Sequence, residues 1–212
     1  MNLQIARGGT RLAVALAGAL CTLAVAAQPS HAGLLVKSAP SCDAAVSSKP
    51  FLPWLDIASY VPAPDGGFEA GAKGWALAGA STVADNEPYQ VGGTGDDTAL
   101  RVVPGGSATS PVFCVGLEHP TARLFAKRVG GSLLSTLRVD VEFEDALGNT
   151  HALPIGVVPG VGGWAPSLQM PFVANLLPLL PGGYTPVRLR LVAQGSAAWL
   201  VDDVYVDPFK RV

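Results

Sequence analysis

Downstream of Gly67, no stretch keeps a 3.6-residue apolar period long enough to build a helix. Short runs of Val, Leu, Thr and aromatic residues instead alternate with clusters of Gly, Pro, Asn and Asp, which is strand-and-turn text. The clearest strand is 137–144. Leu137, Val139, Val141 and Phe143 point one way, and Arg138, Asp140, Glu142 and Glu144 the other. A turn over 145–149 follows, carrying Gly148-Asn149. Residues 98–103, 111–115, 122–129, 151–158, 186–193 and 197–207 read the same way, and with 65–75 they make roughly eight strands. Residues 175–180 admit one short helical turn, because Pro178 and Pro181 forbid more. The 25 Gly and 18 Pro supply the turns such a chain needs. The expected fold is all-β: an antiparallel jelly-roll β-sandwich. An immunoglobulin-like sandwich is the runner-up; it fits less well because Cys42 lies outside the strand text.

The first 32 residues read as a secretory signal peptide. Arg7 and Arg11 precede an apolar run over 12–27, and Ser30-His31-Ala32 offers a cleavage site, with a cut after Ala27 as second choice. The run is short for a membrane span, and none like it follows, so no span is expected in the mature chain. Leu20 before Cys21 argues against a lipoprotein. Residues 33–64 are an irregular lead-in whose one apolar patch, 51–60, should lay Phe51, Trp54 and Tyr60 on the sandwich. Residues 65–212 are the sandwich domain. Removing the leader leaves Cys42 and Cys114, an even count that reads as one disulfide in an exported chain. Closing that loop of about 70 residues is worth about 4 kcal/mol in the chain-entropy model. Two unpaired buried thiols are the alternative. The net charge of −2, more negative still once the leader arginines are gone, argues against nucleic acid or anionic lipid as partner.

A regular last strand puts Ala198, Leu200, Asp202, Val204 and Val206 on one face, and Trp199, Asp203 and Tyr205 on a second, wetter one. A buried carboxylate costs several kcal/mol without a partner, so Asp202 needs an Arg, backbone N–H groups or a metal. A bulge would exchange the roles of Asp202 and Asp203. The acidic stretch 92–97 (GGTGDD) could touch calcium, but it lacks the ligand spacing of a known loop and reads better as a flexible, solvated turn. Gly160-Val161-Gly162-Gly163 is no dinucleotide fingerprint, because Trp164-Ala165-Pro166 follows it where a helix should start. No hydrolytic constellation is visible. There is no G-x-S-x-G, His119 and His151 are isolated, and Glu142 and Glu144 belong to the polar side of a strand. The chain is therefore not expected to be an enzyme. Sugar binding asks for flat aromatic faces beside polar groups. Trp164 and Tyr184, in Gly-Pro-rich loops, form the candidate platform, with Tyr89 as a further ligand residue, whereas Trp75 belongs to the core.

The segments 65–75 (DGGFEAGAKGW) and 197–208 (AAWLVDDVYVDP) resemble the first and last strands of galactose-binding-domain-like jelly rolls of the carbohydrate-binding-module kind. Residues 110–144 are similar to their central strands, more loosely. The mature chain also resembles a group of secreted actinobacterial proteins of no assigned activity. The first resemblance implies that the two end strands lie side by side. It also implies a structural calcium ion at the edge of the sandwich, drawing on Asp65, Glu69, Asp202 and Asp203. No cofactor is required, and the calcium ion is an option whose role would be structural. The expected function is a non-catalytic extracellular or envelope-associated binding module for cell-envelope or polysaccharide glycans. The alternative is a structural or protein-interaction role at the cell surface, through the sandwich face or the apolar loop 176–180.

Overall fold

In the computed structural model the described residues form eleven strands and one 3-10 turn, Leu52–Trp54. The strands are β1 (Val61–Pro62), β2 (Ala76–Ala84), β3 (Thr98–Thr109), β4 (Phe113–Val115), β5 (Thr121–Val129), β6 (Thr136–Glu144), β7 (Thr150–Pro159), β8 (Ala165–Pro166), β9 (Met170–Pro171), β10 (Thr185–Gln194) and β11 (Ala198–Val206). The structure describes residues 46–116, 121–160, 162–172 and 184–207, all inside one compact unit, Ala32–Val212. The leader, Cys42, His119 and the loop 176–180 lie outside them. Among the described residues no helix is long and apolar enough to cross a membrane.

The fold is an all-β antiparallel jelly-roll sandwich. Its hydrogen-bonded path runs β7-β6-β10-β3-β11-β5-β8. The long strands β2 and β3 turn the corner between layers. Ser107 to Thr109 pair with β10, whereas Leu100 to Val102 pair with β11. The bend is built from glycine. Gly79 and Gly105 hold φ of +65° and +77°, and a Cβ on Gly106 would sit 2.5 Å from the Gly79 carbonyl. One layer is thus β7-β6-β10 with the second half of β3. The other is the first half of β3 with β11, β5 and the short strands β8 and β9.

A single core fills the space between the layers. Leu137, Val139, Val141 and Phe143 of β6 meet Leu124 and Ala126 of β5 and Trp199 and Val201 of β11 within it. The period-two reading of β6 therefore holds. On its polar side, Asp140 is buried under Arg138, which grips both carboxylate oxygens at 2.8 and 2.9 Å. Strand β2 went unrecognised because its run of Ala, Gly and Ser carries weak strand propensity; pairing with β3 along its length makes it a strand.

Two expectations need correction. Residues 65–75 are not a strand but a stack of tight turns, with positive φ at Asp65, Phe68, Gly71, Ala72 and Gly74. The end of β11 pairs on one edge with β5 and on the other with β1, two residues drawn from the lead-in. The turns after β1 and the end of β11 still meet. Val204 N–H donates to Gly66 O at 3.0 Å, Ala63 N–H donates to Val204 O at 2.8 Å, and Phe68 and Val204 share the core. The face of Trp199 and Tyr205 is not wet: Trp199 lies in the main core, and Tyr205 packs under the lead-in with Phe51, Tyr60 and Phe125. The apolar patch of the lead-in does lie on the sandwich, with Phe51 stacked on Phe125 at 5.3 Å.

Candidate functional site

A bulge in β11 organises the site. Asp202 pairs with Phe125 and Tyr205 with Arg123, so Asp203 and Val204 together face only Leu124. Before the bulge Trp199 and Val201 point into the core; after it Val204 and Val206 do. The extra residue shifts the phase by one, and Asp203, at φ +50°, takes the strain. The apolar pattern of the strand survives while two adjacent carboxylates, Asp202 and Asp203, are held away from the main core.

The loop between β2 and β3 closes over this bulge. It brings Glu87 and Asp96 to Asp203, with ligand oxygens of all three within 4.8 Å of one another. All three residues are buried. Glu87 is fixed by the loop's own amides, since Tyr89 N–H and Val91 N–H donate to its two oxygens at 2.5 and 2.6 Å. Asn86 clamps the other arm, donating to Asp96 O at 2.6 Å. Close packing here admits no side chain at Gly92, where a Cβ would collide with the Asp96 carboxylate.

The electrostatics are lopsided. Among the described residues no donor N–H or O–H is placed on the buried Asp96 Oδ1 and Oδ2 or on Asp203 Oδ2; only the neighbouring carboxyl of Glu69, if protonated, could share a proton with Asp96. Burial, then Glu69 beside it, then the charges of Asp203 and Glu87, push the Asp96 carboxyl up to about 8. Burial and the Glu87 charge push Asp203 up to about 7. Burial and the charges of Asp203 and Asp96 push Asp202 up to about 9. Among the described residues no cationic side chain answers them; the nearby Lys127 is engaged by Asp85 at 2.8 Å. Buried oxygens of this kind, converging without partners, fit a hard divalent cation such as calcium, which takes six to eight oxygen ligands.

Of the predicted metal residues, Asp203 lies in the cluster. Asp202 lies beside it and accepts Asp203 N–H at 2.8 Å and Glu87 N–H at 3.3 Å. Glu69 flanks Asp96 and accepts Asp97 N–H and Thr98 N–H at 2.9 and 2.7 Å. Asp65 serves the turns instead, accepting Ala70 N–H at 3.0 Å and Lys73 N–H. Glu87 escaped the sequence reading, and the stretch 92–97 is not a solvated turn at Asp96, which is only 8 % exposed. Cys114 lies in β4; its expected partner Cys42 lies outside the described residues.

The predicted aromatic residues divide. Tyr184 precedes β10, in one layer, and Trp164 precedes β8, in the other. Tyr89 does join Trp164: its hydroxyl donates to Trp164 O at 3.4 Å. Tyr89 also meets Trp54 edge-on at 4.7 Å and is 48 % exposed. Trp164 is pinned by Asp85, which accepts its indole N–H at 3.2 Å, and by Lys127 over its ring at 5.0 Å.

No protein-family model matches the chain, and no curated protein matches it in sequence. Solved structures do match it in fold. One is the Clostridium thermocellum endo-1,4-β-D-xylanase 10B structure of a family 22 carbohydrate-binding module with a GH10 module, complexed with xylohexaose. The TM-score is 0.52 at 16 % identity, over 68 % of this chain and 28 % of that one. Another is the family 22 xylan-binding domain of Paenibacillus barcinonensis Xyn10C, at TM-score 0.49 and 18 % identity, over 69 % of this chain and 94 % of that one. A third is the enzymatically active domain of bacteriophage CBA120 tailspike protein 4, at TM-score 0.48 and 16 % identity, over 69 % of this chain and 21 % of that one. The chain thus spans about a quarter of the length of the first of these. The first match shows a shared jelly-roll fold.

Proposed function

We propose that the protein is a non-catalytic, exported module that binds glycans, stabilised by a calcium ion between Glu87, Asp96 and Asp203. The observation that carries the glycan reading is the aromatic strip of Trp54, Tyr89 and Trp164 on one side of the jelly roll, with the Tyr89 ring half-exposed. An exposed ring offers its face to the C–H side of a sugar. The fold shared with a carbohydrate-binding module supports the reading. The ion's part is structural: it binds the loop after β2 to the bulge of β11 and takes no part in chemistry. The test is retention of the mature protein on a panel of immobilised polysaccharides, with and without calcium. Retention on at least one, lowered by a Tyr89→Ala substitution, is expected. A folded protein that ignores every glycan would turn the account to protein recognition at the cell surface.

A further inference from the structure

A cleft of about 710 Å³ opens between the lead-in and the outward side of β5, within the size range of pockets that hold small ligands. Its floor is polar and tightly wired. Asp56 Oδ2 accepts Arg123 at 2.6 Å, the Tyr60 hydroxyl at 2.7 Å and the Gln169 amide at 3.1 Å, and Asp56 Oδ1 accepts Ala58 N–H at 3.1 Å. Arg123 spends its other nitrogens on Ser167 O, at 2.9 and 2.7 Å, and lies 4.1 Å over the Phe51 ring. These groups are satisfied by the protein and hold the floor rigid.

Asp207 is the exception. It is 6 % exposed and lines the cleft, yet no hydrogen bond or ion pair reaches its carboxylate from the described residues. Burial and the neighbouring Asp56 charge push its pKa up to about 6. A carboxylate has about four acceptor sites, and here they are left to whatever enters. The Gln169 carbonyl is a second acceptor at the rim, on an exposed residue. The walls are apolar: Trp54, Ile57 and Leu168, the last two 74 % and 84 % exposed. Trp54 is also the ring against which Tyr89 packs, so the aromatic strip runs into this cleft.

We infer that the cleft is a subsite for an uncharged saccharide, whose adjacent hydroxyls donate to Asp207 and Gln169 while its C–H face lies on Trp54 and Ile57. Acceptors without partners select hydroxyl donors, and a free buried carboxylate repels uronate and sulfated sugars. The inference rests on the glycan-binding reading above and deepens it.

The experiment uses the mature protein on immobilised xylan, mixed-linkage β-glucan and galactan as neutral arms, and polygalacturonate as the acidic arm. Asp207→Asn and Ile57→Ala are compared with the parent. Ile57→Ala trims an exposed apolar wall residue and so keeps the test valid if Asp207→Asn fails to fold. Retention of the parent on a neutral polysaccharide, weakened at least tenfold in both variants at unchanged melting temperature, is the expected result. Equal retention of parent and variants overturns the cleft and leaves the glycan reading standing. Retention on polygalacturonate alone overturns the selection for neutral sugar. No retention of the folded parent on any arm removes both readings together.

Discussion

The carboxylates of Asp96 and Asp203, from a loop near the start of the domain and a strand at its end, lie within 4.8 Å of each other in a buried setting. Like charges so placed repel, and each unpartnered oxygen has lost its water. A divalent cation relieves both costs at once, and the following expectations depend on that.

In a chelator, stability should fall as the pH rises. Asp203, Asp96 and Asp202 are raised to about 7, 8 and 9 in the fold without a cation, whereas unfolded carboxyls ionise near pH 4. Between those limits the native state holds protons that the unfolded chain has released, so the stability it gains at low pH is lost on the way up. Melting curves in chelator at pH 5, 7 and 9 should show a falling midpoint. Calcium should restore most at pH 9. A midpoint that climbs with pH in chelator would contradict this.

Asp203→Asn and Glu87→Gln should separate the two conditions. Without calcium, Asp203→Asn replaces a buried, unpartnered carboxylate oxygen and should leave the melting temperature unchanged or higher, whereas Glu87→Gln should lower it, because an NH2 group then faces Tyr89 N–H or Val91 N–H. With calcium at about a hundred times its Kd, the parent should gain about 2.7 kcal/mol, and each variant should lose most of that gain. Thermal scans of the three proteins with and without calcium decide it; equal calcium responses would remove these residues from the site.

The meeting of the turns after β1 with the end of β11 should be costly to disturb. Phe68 is fully buried against Trp75, with rings 5.1 Å apart, and Phe68→Ala should cost about 3–5 kcal/mol in denaturant unfolding. At Gly66 a Cβ would stand 2.6 Å from the Val204 carbonyl, so Gly66→Ala should also destabilise by more than 1 kcal/mol, a typical single-substitution cost being about that. A neutral Gly66→Ala would mean that the turn and β11 are not pressed together.

We propose that Cys114 of β4 forms a disulfide with Cys42. Mature protein should show no free thiol with or without denaturant, and peptide mapping should recover the 42–114 cross-link. Two labelled thiols would refute it.

Much of this was legible in the residues. The period-two alternation of β6 and the β-rich runs around it follow from which side chains must be buried, so those strands and their faces were readable locally. The motif at 65–75 misled because Phe68 and Trp75 are core residues in turn geometry, and burial alone does not separate a strand from a stack of turns. The bulge at Asp203 was foreseen only as an option, since one inserted residue leaves no mark on composition. Glu87 was hidden, and the acidic stretch holding Asp96 lacked a visible partner, for a topological reason: Asp203 becomes their neighbour only because β3 lies beside β11.

The most direct test is calorimetric titration of calcium into chelator-stripped mature protein at pH 7. The account predicts one saturable site, and no heat of binding in the Asp203→Asn protein. Absence of any binding by the folded parent would contradict it.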